Sequence, residues 1–153
     1  MWNQDKSLNL SILLVKVLSV LIIVLAFCVP VMVHWYDIID NDRIGLMQGS
    51  VFWPLSVCLY AAAVCGEVCL YHLGKLLKNI KNDIVFKMEN CQHLRVISWC
   101  CLLAAIPFFV FGFWRFVSFI IAAAAGFFGL ILRVLKNVFV GAVELQEEND
   151  YTI

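Results

Sequence analysis

Hydrophobic residues run through this chain in long unbroken blocks, without strand-like alternation. Four stretches, 17–36, 44–66, 96–114 and 116–132, contain no Asp, Glu, Lys or Arg. Each is near the ~17–25 residues with which a helix crosses roughly 30 Å of hydrocarbon. In lipid every backbone N–H and C=O must be satisfied within the segment, and a barrel strand would alternate with period two, so helices are predicted. Only Arg115 separates the last two stretches. Read as one helix, 96–132 would be about 55 Å long at ~1.5 Å per residue, beyond any reasonable tilt. A tight reversal is therefore expected at Gly112-Phe113-Trp114-Arg115. The expected fold is an all-α membrane protein. Its single domain, 1–153, holds four transmembrane helices at about 10–36, 46–73, 96–112 and 115–133, and residues 134–153 form a helical acidic tail.

Composition strengthens this reading. The chain is 63% hydrophobic with a mean hydropathy of +0.93, and 14% of its residues are charged, against about a quarter in soluble domains. Eleven bases balance eleven acids, so net charge selects no polyanionic partner, and direct nucleic-acid binding is not expected. The distribution of charge is informative. Four spans place the N-terminus, the 75–95 loop and the C-terminus on one side. That side holds Lys6, Lys16, Lys75, Lys78, Lys81, Lys87, Arg95, Arg133 and Lys136, and the other holds Arg43 and Arg115. Nine bases against two predict both termini in the cytoplasm and a multi-pass protein of the inner (cytoplasmic) membrane. Asp37, Asp40 and Asp42 mark a short outer loop, and Trp35, Tyr36, Trp53, Phe113 and Trp114 form an outer interfacial belt. The first span follows basic residues but is long, and Ala26-Phe27-Cys28 lacks a small-residue cleavage pattern, so it is expected to stay attached.

Candidate chemistry is sparse. Seven cysteines include no C-x-x-C pair, and six lie in predicted spans as small apolar fillers, so neither a metal site nor a cofactor is expected. His34, His72 and His93 are read as interfacial. Glu67 is the one acid deep enough in a span to be an intramembrane functional candidate. An interfacial or protonated carboxyl bonded to a hydroxyl such as Tyr71 accounts for it most simply. Small residues at Ala122/Gly126, Ala125/Gly129 and Ala62/Gly66 predict close helix packing and leave homo-oligomerisation open. No nucleophile–base pair or phosphate loop falls in a soluble segment large enough to bury a site, so an enzyme is not expected.

The cytoplasmic segments carry the remaining signal. Leu73, Leu76, Leu77 and Ile80 prolong the helical spacing of the second span, while Lys75, Lys78 and Lys81 lie on another face, suited to anionic lipid headgroups. In the tail Ile131, Leu135, Val138, Ala142 and Leu145 recur at alternating spacings of four and three, so the fourth span should run on as a helix with one apolar seam. Glu144, Glu147 and Glu148 oppose the macrodipole at its C-terminal end, at a cost of about 0.3–1 kcal/mol each. Something other than helix stability explains them.

Lys75-Leu76-Leu77-Lys78-Asn79-Ile80-Lys81-Asn82, then Phe86, Glu89-Asn90 and Leu94-Arg95, and finally the closing ELQEENDYTI, resemble the YoaS-like bacterial membrane proteins, a domain of unknown function. The resemblance spans essentially the whole chain. It departs at Asp83-Ile84-Val85, where a Gly- and Pro-containing turn is usual, and at Tyr151, where Leu is common. It implies four spans and a partner, a small helix-turn-helix regulator of the kind encoded beside such proteins. Glu144, Leu145, Glu147, Glu148, Asn149, Asp150, Tyr151 and Ile153 are then the expected partner-binding residues. The alternative is a small transporter or channel subunit centred on Glu67.

Overall fold

The computed structural model describes residues 4–39, 45–47, 49–82 and 87–150; the side chains of residues 4, 5 and 150 are outside that description. Four helices make up the fold: α1 (Gln4–Ile39), α2 (Phe52–Lys81), α3 (Met88–Phe111) and α4 (Val117–Asp150). All four are long and apolar enough to cross a membrane, and there is no strand among the described residues. The protein is an all-α, multi-pass membrane protein.

The helices form an open row. α1 packs on α2, α2 on α3, and α3 on α4; among the described residues α1 touches neither α3 nor α4, and α2 does not reach α4. Most large apolar side chains are accordingly exposed, among them Leu13, Val20, Phe27, Ile120 and Phe127, as expected where lipid replaces water as the neighbour. A small core of Val51, Cys58 and Phe111, flanked by Leu55, Phe108 and Trp114, fixes the end where α2 begins and α3 turns into α4.

The reversal expected at 112–115 is present: α3 ends at Phe111 and α4 starts at Val117. Gly112 donates its N–H to Phe108 and Phe109, and Arg115 donates its own to Phe111. Aromatic edges from Phe109, Phe113 and Phe119 meet at 5.2–5.9 Å around the turn, close to the preferred edge-to-face separation. The preceding connection docks here too. Leu46 and Met47 both donate backbone N–H groups to the Phe113 carbonyl, at 2.9 and 3.1 Å.

Sequence reading begins the second span at 46, whereas helical backbone begins at Phe52. The segment before it is held by Asp37 at the end of α1, whose carboxylate accepts the Val51 N–H (3.3 Å) and the Ser50 hydroxyl (3.5 Å). Pro54 lies in the first turn of α2, where its missing N–H has no acceptor to lose.

α3 and α4 are antiparallel and close. Ser98 donates its hydroxyl to the Gly129 carbonyl at 2.8 Å, and a Cβ on Gly129 would stand 2.9 Å from Leu102 Cγ. The small-residue pattern is thus used within the chain, but unevenly. Gly129 is buried against α3, whereas a Cβ on Gly126 would meet nothing within 4 Å. α4 continues as a helix through the tail. Its apolar seam is not the buried one, however: Ile131, Leu135, Val138 and Leu145 are exposed, and the inward line runs through Leu132, Lys136, Phe139 and Val143. Both lines have helical period, and α3 occupies the adjoining one.

Candidate functional site

Glu67 stands on α2 facing α1. Gly66 beside it lets α1 approach, since a Cβ there would lie 3.3 Å from Ile22 Cδ1. The hydroxyl that bonds the carboxyl group is Ser19 on α1, donating to Oε2 at 2.7 Å. The partner suggested by spacing, Tyr71, instead lies under Lys75, whose Nζ is 4.8 Å from the ring centroid. The other carboxyl oxygen, Oε1, is buried without a hydrogen-bond partner.

Two furrows between α1 and α2 meet at this residue. One, of about 680 Å³, is lined by Lys16, Ser19, Tyr71, Lys75 and Lys78 as well as Glu67. The other, of about 610 Å³, is lined by Glu67 and apolar side chains including Phe27, Tyr60 and Val64. Glu67 therefore lies at the boundary between a basic, amphipathic stretch and a hydrocarbon-like one. Lys75, Lys78 and Lys81 are exposed and Leu73, Leu76, Leu77 and Ile80 half-buried, the two-faced exit expected of α2.

A polar clasp joins α2 to α3. His72 Nδ1 and His93 Nδ1 are 2.9 Å apart, so one ring donates and the other accepts. Asn79 donates an amide N–H to Asn90 Oδ1 at 2.8 Å, and Asn90 is fully buried. Glu89 Oε1 lies 3.7 Å from the outer nitrogen of His93, too far for a hydrogen bond. Sequence reading placed both histidines at the interface singly and missed that they meet. The usable signal was spacing: His72 and Asn79 recur at i, i+7 on α2, and Asn90 and His93 at i, i+3 on α3, so each pair shares a helix face.

At the far end of α4, residues 144–149 are all exposed, including Glu144, Leu145, Glu147, Glu148 and Asn149. Asp150 closes the helix. Tyr151 and Ile153, expected to complete this surface, lie outside the described residues, as does Phe86 in the loop. Glu67 lies on α2, whereas the acidic residues close α4, which does not touch that helix, so the structure does not bring the two candidate regions together.

A model of the family described as "protein of unknown function (DUF2975)" matches residues 38–153. The chain belongs to that family. Its DUF2975 region takes in α2, α3, α4 and the acidic tail and leaves nearly all of α1 outside the match. Glu67 thus falls inside the DUF2975 region while its hydroxyl partner, Ser19, falls outside it. The chain matches no curated protein and no solved structure.

Proposed function

We propose that this chain is a non-catalytic, membrane-anchored binding protein of the bacterial cytoplasmic membrane, with both termini inside, whose acidic helical end docks a small basic regulator of the helix-turn-helix type. The observation that carries the reading is the end of α4. An unbroken helix presents Glu144, Glu147 and Glu148 with Leu145 between them, and every residue from 144 to 149 is exposed. A protein built to contact phosphates offers a basic face. Carboxylates around an exposed leucine, itself 68% exposed, complement such a face with charge and an apolar anchor. The resemblance of the closing ELQEENDYTI to YoaS-like proteins suggests the kind of regulator. The bases on the side assigned to the cytoplasm support the orientation.

Deleting residues 144–153 should leave the protein inserted and move the partner from the membrane fraction to the cytosol. E147K/E148K should weaken binding in a way that fades with salt, because exposed charges are screened over ~8 Å at physiological ionic strength. Leu145→Ala should cost about 1–2 kcal/mol almost independently of salt. In a cysteine-free background, Met47→Cys should react with an impermeant thiol reagent on intact cells and Asn149→Cys should not. A partner that stays membrane-bound without the tail, or an Asn149→Cys that labels from outside, would refute the proposal. The competing reading, transport through Glu67, has in its favour the buried lone oxygen at the junction of two furrows. Under it, tail deletion is silent.

A further inference from the structure

A second polar site lies between α3 and α4, away from Glu67 and from the acidic end. Arg95, Ser98 and Trp99 stand at i, i+3 and i+4 on α3, and Arg133, Lys136 and Asn137 repeat that spacing on α4. Antiparallel packing sets the two triplets around one cavity of about 310 Å³. Three cationic side chains line it and no carboxylate does. The Arg133 guanidinium lies 5.1 Å from the Trp99 ring centroid, a stacking contact that fixes its planar fork. Lys136 Nζ donates to Asn137 Oδ1 at 3.2 Å, which leaves the amide N–H groups of Asn137 to face an acceptor. Ser98 is buried, its hydroxyl already donated to Gly129, and it forms a rigid floor.

Gathering three bases around one cavity costs electrostatic energy that an anion would reverse. The depth of the cavity indicates which anion. Arg95 immediately precedes one charge-free stretch and Arg133 immediately follows another, so the cavity sits at the edge of the hydrocarbon, the level of lipid phosphates. From there the same helix faces turn apolar. Gly126 leaves open space, and a further groove of about 450 Å³ is lined by Ile106, Phe109 and Ala122 among others. Basic pockets between membrane helices on the cytoplasmic side suit anionic headgroups. We propose that the α3–α4 face is a binding site for an anionic phospholipid, with the headgroup phosphate held by Arg95, Arg133 and Lys136 and an acyl chain lying along the apolar groove.

This does not rest on the docking role of the tail. The test uses the full-length protein in bilayers and reads quenching of Trp99 by brominated lipids, taken as the difference between the native chain and Trp99→Phe because four other tryptophans are present. Brominated phosphatidylglycerol should quench Trp99 at a mole fraction at least about fivefold lower than brominated phosphatidylcholine, and removing bases should bring the two lipids towards parity, by up to about fivefold per base. R95Q/K136Q leaves the Arg133–Trp99 stack in place and is the informative variant; should it fail to insert, Lys136→Gln alone carries the same test. Lys6→Gln on α1, exposed and away from the cavity, should leave the preference intact, and millimolar inorganic phosphate should not abolish it. Equal quenching by the two lipids, an unchanged preference in R95Q/K136Q, or an equal loss in Lys6→Gln would overturn the site. Displacement by inorganic phosphate would overturn the lipid as its ligand.

Discussion

Gly129→Leu should separate α3 from α4, while Gly126→Leu, one turn away, should be harmless. At position 129 a Cβ alone would stand 2.9 Å from Leu102 Cγ and 3.2 Å from the Ser98 carbonyl oxygen. The leucine side chain has the same helix to displace, and the displacement breaks the Ser98–Gly129 hydrogen bond. Overpacking of this kind costs about 1–3 kcal/mol, and the lost hydrogen bond about 1 more. At 126 nothing lies within 4 Å of a Cβ, and leucine is the better helix former by nearly 1 kcal/mol. The reporters are already in α3, where Cys91 and Cys100 are buried. In detergent, Gly129→Leu should expose these thiols to a modifying reagent well below the temperature at which the native chain does, and Gly126→Leu should match the native chain or exceed it. Equal behaviour of the two variants would show that α4 meets α3 through another face.

The second large effect is expected at Gly45→Ala. A Cβ at this position would overlap the Trp114 carbonyl oxygen and come within 3.1 Å of the Phe113 carbonyl oxygen. Both neighbours are backbone, so no rotamer change relieves the clash. The 45–47 segment must lift, and Leu46 and Met47 then lose the carbonyl that both address. Two hydrogen bonds and the docking contact together amount to about 2–4 kcal/mol. Amide hydrogen exchange should accelerate at Leu46 and Met47 and stay slow in the middle of α3. Protection unchanged at those two amides would mean that the segment docks differently.

How much of this was legible beforehand depends on the range of the interaction. Four spans, the reversal at Gly112–Arg115, the two-faced exit of α2 and the helical continuation of α4 all follow from runs and periods within one segment, and the sequence displays those directly. Choices between equivalent neighbours were not legible. Gly126 and Gly129 occupy equal places in a small-residue pattern, and only the position of Leu102 on another helix tells them apart. The seam through Leu135 and Val138 is as apolar as the line α3 covers, so periodicity identified a stripe without identifying its occupant. Glu67 could be singled out as a costly carboxyl group, yet its bond runs to Ser19, 48 positions away in the chain. The His72–His93 contact and the convergence of Arg95 with Arg133 and Lys136 are likewise products of helix register.

The row arrangement bears on how the protein is made. Among the described residues every helix–helix contact joins neighbours in sequence, so helix pairing does not wait for a distant segment, although the docking of Leu46 and Met47 on Phe113 does. As α2 leaves the ribosome, α1 is already available to receive Glu67; α3 then finds the histidine and asparagine of α2, and α4 finds Ser98. Short sequence separations favour fast pairing, and N-terminal segments are synthesised first. Each new helix therefore finds its preceding neighbour already made, and a chain stopped after α2 holds its α1–α2 pair with the 45–47 segment left to dock when the α3–α4 turn arrives.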